Sequence, residues 1–522
     1  MAVKNIETDV FVIGGGINGT AIARDLAGRG LNVVLVEQGD LAQATSSSSS
    51  KIIHGGLRYL EHRDFKLVRE SLGERETLMK SAPHLISPLN FVLPHNKKQR
   101  PYWMIRLGVY LYDFLAARNI LPASKGIKLR THRLGQPLKN IFSRGITYPD
   151  CWTDDARLTV VNAMDAREKG AQIFTRMRCK AARKKRGKRV WRLTCEDQIT
   201  RREMFVDARC VINAGGPWAS KIIKNVNPEL SKYKTRLVKG SHIVVPKMYE
   251  GDHAYTLQND DGRVIFTFPF EEKFTLIGTT DVDYRGNPAD VSISKQETVY
   301  LCKAVNRYFK QKILPDMVVW SYSGVRSLFD DGEKSASSVT RDYVLEAKKH
   351  EGLPIVSVYG GKLTSHRAVA EEVGDKVVKM LGRGRDAWTA GSILPGGDIN
   401  TLDAHVFTKN FSFEYGWLPK DVAKRYCRTY GTRARYFLRG AKKIEDLGAH
   451  LGDGVYEAEI AYLVMREWAL TVEDILWRRS KLGLHISAET QSNIEKTLRK
   501  YKKRFAPPSG RSEFNKARNF KP

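Results

Sequence analysis

The segment from Asp9 to Glu37 constrains the fold more than any other part of the chain. Asp9-Val10-Phe11-Val12-Ile13 is a short apolar, β-branched run of the kind that forms a buried parallel strand. It opens into Gly14-Gly15-Gly16-Ile17-Asn18-Gly19, continues with the helical spacing of Ile17, Ala21, Ile22 and Leu26, and stops at Gly28-Arg29-Gly30. A second strand, Asn32-Val33-Val34-Leu35-Val36, ends at Glu37. Strand, glycines, helix, strand and acid in this order make a dinucleotide-binding fingerprint. Gly14 permits the tight turn, Gly16 lets the backbone approach a pyrophosphate, and Gly19 lets helix and strand pack closely, while the helix N-terminus supplies amide donors. Glu37 is placed to accept hydrogen bonds from ribose hydroxyls.

FAD and NAD both use this unit, so the choice between them rests on other segments. Residues 44–60 read ATSSSSSKIIHGGLRYL. A serine run alone reads as a linker. Between a ribose-binding acid and a second Gly-Gly, its hydroxyls and amides are also placed to hold a diphosphate and a flavin edge.

The chain has 522 residues, and a prior of roughly 100–200 residues per domain gives two to four domains. Its six cysteines (Cys151, Cys179, Cys195, Cys210, Cys302 and Cys427) never approach a CxxC spacing. That excludes the usual zinc and dithiol signatures and fits reduced thiols in a cytosolic compartment. Lys and Arg number 87 against 57 Asp and Glu, a formal +30. Such an excess attracts nucleic acid, anionic lipid or phosphorylated substrates without choosing between them. No apolar run reaches the ~18 residues of a spanning helix. The start, MAVKNIETDV, enters a strand at once, so no signal peptide is expected.

At this point a resemblance becomes specific. GGGINGTAIARDLAGRG, ATSSSSSKIIHGGLRYLEH, DCWTDDARL, NAGGPW, KGSHIVVP, IGTTD, YSGVRS, TRDY, GGKLTS and LPGG occur in the order found in the aerobic, FAD-linked glycerol-3-phosphate dehydrogenases, which the chain resembles from about residue 8 to about residue 400 and more thinly beyond. The departures are small: NAGGPW for NATGPW, GVRS for GVRP and GGKLTSH for GGKLTTY, none of which removes a charged or ring-bearing group.

The resemblance implies an α/β architecture. A Rossmann-like FAD-binding domain (about 1–90, 150–230 and 340–400) is interleaved with a mixed β-sheet substrate domain (about 91–149 and 231–339). An α-helical C-terminal cap over 401–502 and a flexible basic tail over 503–522 follow. It also implies non-covalent FAD, glycerol 3-phosphate as substrate and membrane quinone as electron acceptor. The protein is then cytoplasmic, attached peripherally to an anionic inner membrane face, with no nucleic-acid partner expected and a homodimer left open. Cofactor contacts are expected from Gly14, Gly16, Ile17, Asn18, Gly19, Glu37, Thr45, Ser46, Ser50, His54, Gly55, Gly56, Leu57, Gly215, Gly361, Lys362, Leu363 and Thr364. Substrate-site positions carried over from the family are Arg58, Tyr59, His242, Thr280, Arg326, Arg341 and Lys362.

The chemistry of such a substrate points to some of the same residues. Oxidising a dianionic secondary alcohol takes a cationic clamp, a hydride acceptor and a base. Arg58, Arg326 and Arg341 sit inside motifs rather than on charged helix faces, and the arginine fork suits phosphate oxygens. His242 interrupts an apolar strand and is the leading base, against the plainer reading of a buried, hydrogen-bonded histidine. Lys362 and His54 are the alternatives. Gly360-Gly361-Lys362-Leu363-Thr364 follows the strand-like Ile355–Tyr359 and resembles a second strand–glycine–helix junction, aimed at a flavin.

Residues 95–118, crowded with Trp103, Met104, Leu107, Tyr110 and Phe114 between basic flanks, read as an interfacial helix or as a core helix. The run Arg183–Arg189 reads first as a solvated hairpin turn and second as a lipid- or RNA-facing patch. Rival functions are an amine or amino-acid oxidase of the same architecture and a basic RNA-binding flavoprotein.

Overall fold

A computed structural model describes residues 5–62, 64–96, 99–115, 120–226, 235–329 and 342–505, with the backbone but not the side chains of residues 58, 61, 62, 226, 329 and 503–505. Two sheets organise the chain. In the first, of eight strands, Leu353–Tyr359, Glu203–Asn213, Asn5–Ile13, Val33–Val36 and Gln172–Phe174 lie side by side and parallel. These strands are near-continuous apolar runs because both faces are covered. Helices Ile17–Gly28, Asp155–Glu168 and His366–Leu381 cover one face. The antiparallel hairpin Met177–Lys184/Trp191–Asp197 and helix Ala219–Val226 close over the other, around buried Trp191. The basic run 183–189 forms the turn of that hairpin, and Lys185 is tied back to Asp207 at 2.5 Å.

The second sheet has ten strands, mostly antiparallel. Its long strand Thr235–Pro246 pairs with Phe274–Gly278 on one side and Trp320–Phe329 on the other, bringing His242 opposite Tyr322 and Val238 opposite Arg326. Helix Lys295–Asn306 covers one face of this sheet, and helix Tyr102–Leu115 packs beside it with only Val109, Tyr112 and Asp113 buried.

Beyond Gly397 the chain forms a separate core around Phe411, Tyr426, Tyr430 and Ile494 from helices Ala404–Glu414, Lys420–Tyr430, Glu457–Glu467 and Ala488–Phe505. This part is not wholly helical: His450–Gly452 and Val455–Tyr456 make a small hairpin. The one-sided spacing of Ile460, Leu463, Val464 and Trp468 predicts a helix over Glu457–Leu470, but it ends at Glu467, because Trp468 turns into the left-handed region at φ 57° and Asp474–Arg479 starts a separate turn. Residues 506–522 of the basic tail lie outside the described residues.

Buried ion pairs bolt this C-terminal part to the first sheet. Arg157 grips Glu467 with both arms and donates from Nε to the carbonyl of Thr429. Arg479 donates to both oxygens of Asp40 at 2.6 and 2.7 Å, and Asp40 lies in the loop just after Glu37. Charges buried this deeply are stable only as pairs, and removing one partner costs about 3–5 kcal/mol. The C-terminal domain thereby restrains the loop that carries Glu37.

Candidate active site

The fingerprint glycines are forced by contact rather than by sequence habit. A Cβ on Gly19 would lie 1.9 Å from the carbonyl oxygen of Gly14, and one on Gly14, whose φ is +115°, would lie 2.5 Å from the Ala214 oxygen. With no side chain between them, helix Ile17–Gly28 meets the strand end directly and aims its first amides along the carboxyl edge of the sheet. Ser46 Oγ accepts from the Ile17 amide at 2.9 Å. Glu37 takes the Gly15 amide at 2.7 Å and the Gly39 amide at 2.8 Å. Its carboxylate therefore braces the glycine loop as well as facing the cleft, a double duty that the sequence did not disclose. Burial pushes its carboxyl up, and the two amides pull it back. Each oxygen keeps acceptor capacity for a ribose hydroxyl.

The second junction sits beside the first. Strand Leu353–Tyr359 ends in Gly360 and Gly361, at φ +73° and +97°, where only glycine is unstrained. Asn18, in the first turn of the fingerprint helix, donates to the Gly360 carbonyl at 3.3 Å, while its buried Oδ1 has no hydrogen-bond partner among the described residues. The two junctions and Gly215 frame a cleft of about 2510 Å³. That exceeds the roughly 300–1,000 Å³ of pockets for drug-sized ligands and suits a dinucleotide with a substrate beside it. Cramped glycines, converging amides and an acid at the second strand end all fit FAD. Gly14, Gly16, Ile17, Asn18 and Glu37 line the cleft at this end, whereas Gly19 is packed behind it.

The serine run is a built wall, not a linker. Thr45 Oγ1 donates to the Val325 carbonyl at 2.6 Å, joining the run to the second sheet. Ser49 donates to Asp155 from both its amide and its hydroxyl. Lys51, fully buried with φ +56°, places Nζ 2.6 Å from Asp155, 3.0 Å from the Ser47 carbonyl and 5.0 Å from the Tyr322 ring centre. Next door, Arg75 holds Asp150 at 2.8 Å, Tyr112 donates to Asp150, and the Gly55 amide donates to Tyr112 at 2.8 Å. Gly55 therefore anchors its loop from behind, leaving Thr45, Ser46, Ser50, His54, Gly56 and Leu57 on the cleft surface. Lys51, Tyr112, Asp150 and Asp155 are the residues that reading the sequence missed. The one local signal was the three acids of DCWTDD, too close together for all to be surface charge.

Arg326, Lys362 and Tyr59 also line the cleft, with Leu363 and Thr364. Arg326 is ion-paired to Asp281 and donates to Thr279 Oγ1 at 3.2 Å, so its fork is held in place before any ligand arrives. The Lys362 ammonium lies 3.8 Å from the centre of the Tyr59 ring. Two expected substrate contacts are not on the surface. Thr280 is buried and donates to Glu297 at 2.8 Å, and its neighbours Thr279 and Asp281 line the cleft instead. His242 is buried one layer back, stacked on Tyr322 with centres 4.8 Å apart, and among the described residues meets the cleft through Ser50 Oγ at 3.0 Å from Nε2. Burial, with Arg326 and Lys51 nearby, drives its pKa well below the ordinary imidazole value. The Arg58 side chain and Arg341 lie outside the described residues.

Comparison with known proteins places this site in a family. Residues 9–373 match the family described as FAD dependent oxidoreductase, and residues 387–506 match the C-terminal domain of alpha-glycerophosphate oxidase. The chain is 49% identical over 492 residues to a glycerol-3-phosphate dehydrogenase of Pseudomonas aeruginosa, covering 94% of each chain. It is 47% identical over 488 residues to D-erythritol 1-phosphate dehydrogenase of Brucella abortus, covering 93% of this chain and 97% of the relative. Its fold superposes on a glycerol-3-phosphate dehydrogenase of Bacillus halodurans complexed with FAD with a TM-score of 0.72, covering 97% and 96% of the two chains at 24% identity. Matched along both its sheets and its C-terminal domain, the chain belongs to the FAD-dependent glycerol-3-phosphate dehydrogenase family, and FAD is its cofactor.

Proposed function

We propose that the protein oxidises sn-glycerol 3-phosphate to dihydroxyacetone phosphate and passes the electrons to a membrane quinone. The observation that carries the reading is that two cations, Arg326 and Lys362, both line the cleft framed by the two glycine junctions. FAD, when bound, supplies the hydride acceptor for C2 of the substrate. Gly14, Gly16, Ile17, Asn18, Glu37, Ser46, His54, Gly215, Gly361 and Thr364, all on the cleft, would hold it. Arg326 and Lys362 seat the phosphate dianion, and the Asp281–Arg326 pair fixes the guanidinium plane so that little side-chain entropy is lost on binding.

The hydroxyl proton leaves through Ser50. Its Oγ faces the cleft and touches His242 Nε2, so it passes a proton inward as it accepts one from the substrate. A dianion beside Arg326 offsets the cation that weakens His242 as a base, so the imidazole gains basicity when substrate is present.

The helix Tyr102–Leu115 supports the membrane part of the reading. Trp103 is 65% and Phe114 75% exposed, with Leu107 and Tyr110 also exposed, and this apolar face adjoins the mouth of the cleft through Met104, Gly108 and Leu111. Such a face suits a helix lying in the headgroup plane and gives an apolar acceptor a short route to the cleft. Among the described residues no helix is long and apolar enough to cross a membrane.

Arg326→Ala should raise KM for glycerol 3-phosphate roughly 30- to 150-fold, the worth of about 2–3 kcal/mol of charge-assisted hydrogen bonding. Unchanged steady-state kinetics with an artificial electron acceptor would remove Arg326 from the clamp. In the pH profile of kcat/KM, corrected for the substrate phosphate's own second ionisation at pH ~6, the acid limb of the free enzyme should fall only below the ordinary imidazole range, because His242 must be neutral to accept a proton and its pKa is lowered. A limb centred at or above that range would assign the proton to another group. The triple change Trp103→Ser, Leu107→Ser and Phe114→Ser should abolish co-sedimentation with anionic vesicles at low salt; full retention of vesicle binding would place the membrane contact elsewhere.

A further inference from the structure

Two of the six cysteines face each other across a hairpin. Cys179, on strand Met177–Lys184, is the register partner of Cys195 on the antiparallel strand Trp191–Asp197. Side chains at opposed positions leave a sheet on the same face, with Cα atoms about 4.5–5.5 Å apart. A disulfide spans about 4.4–6.8 Å between Cα atoms, so bridging needs no rebuilding of the strands. The two thiols are within hydrogen-bond reach of one another and both are reduced. A register shift immediately after Cys179 gives the hairpin slack where a bridge would form.

The environments of the two sulfurs differ in a useful way. Cys195 is fully buried against Trp191, Leu193 and Met204. Cys179 is half-buried and lines the flavin cleft beside Met177 and Arg178, near Glu37. One sulfur therefore meets small reagents entering the cleft, while its partner waits behind it. The contact with Cys179, then burial, pushes the Cys195 thiol pKa up, and Cys179, half-buried on the cleft, is the sulfur that a reagent reaches first.

We propose that Cys179 and Cys195 form a redox-modification site on the wall of the flavin cleft, closed to a disulfide by a hydroperoxide such as hydrogen peroxide. Cys179 sulfur attacks the peroxide and breaks the O–O bond, becoming a sulfenic acid as one water leaves. Cys195 sulfur then attacks the sulfenic sulfur, loses its proton and expels a second water as the S–S bond forms. Two thiols and one peroxide become one disulfide and two waters; both sulfurs are oxidised and the peroxide oxygens are reduced. A dithiol reductant reverses the step.

The test is to treat the FAD-loaded enzyme with hydrogen peroxide, alkylate remaining thiols after denaturation, and map peptides by mass spectrometry without reduction. The result expected is a Cys179–Cys195 linked peptide lighter by two hydrogens and lost on adding dithiothreitol, with Cys151, Cys210, Cys302 and Cys427 alkylated. In Cys195→Ala, Cys179 should stop at the sulfenic acid and be trapped by dimedone. Alkylation of both Cys179 and Cys195 in the treated wild type, or oxidation of Cys179 to sulfinic acid with no linked peptide, would overturn the proposal.

Discussion

The structure depends on a place where no side chain fits. At Gly14 and Gly19 the fingerprint helix is pressed so closely on the strand that a single methyl would sit 1.9 Å from a backbone oxygen. That approach points the helix N-terminus, with its partial positive charge, at the carboxyl edge of the sheet. Asn18 then reaches from the first helical turn to Gly360, so the second glycine junction is positioned by the first. Around these two points the sheet edge becomes a cleft long enough for a dinucleotide.

Turning this cleft into a catalytic site falls to charges held mostly behind its surface. The buried Lys51–Asp155 pair shapes the serine wall, and Arg75, Asp150 and Tyr112 hold the His54–Gly56 loop from behind. Such pairs add little net stability because desolvation offsets most of their attraction, yet each becomes strongly destabilising if one partner is lost. Their value is in geometry: they leave one arrangement of hydroxyls and amides facing inward. The same logic fixes Arg326 through Asp281, and ties Asp40, close to Glu37, to Arg479 of the C-terminal domain.

Local patterns in the sequence carried much of this. The strand–glycine–helix unit, the second Gly-Gly junction and the helix Tyr102–Leu115 were legible because each depends on neighbouring residues: a run of β-branched side chains, a positive φ, an apolar stripe. Long-range contacts were not legible. Nothing near Thr280 says that its hydroxyl turns toward Glu297, and nothing near His242 says that Ser50, far away in the chain, stands between it and the cleft. The bracing of Glu37 by Gly39 was hidden because ribose acceptor and loop support call for the same acid. In the C-terminal domain the helix after Glu457 was read too long, since a tryptophan in the left-handed region gives no warning of a helix end. Cys179 and Cys195 look unrelated in sequence and meet only because a hairpin sets their register.

All of this rests on the cleft's seating glycerol 3-phosphate by its phosphate on Arg326 and Lys362, beside the glycine junctions. Anaerobic mixing of the FAD-loaded enzyme with candidate substrates, followed by the loss of visible flavin absorbance, tests it most directly. The account predicts rapid bleaching by glycerol 3-phosphate, slower bleaching by D-erythritol 1-phosphate and none by glycerol or amino acids. Faster bleaching by erythritol 1-phosphate, or bleaching by unphosphorylated glycerol or an amino acid, would contradict it.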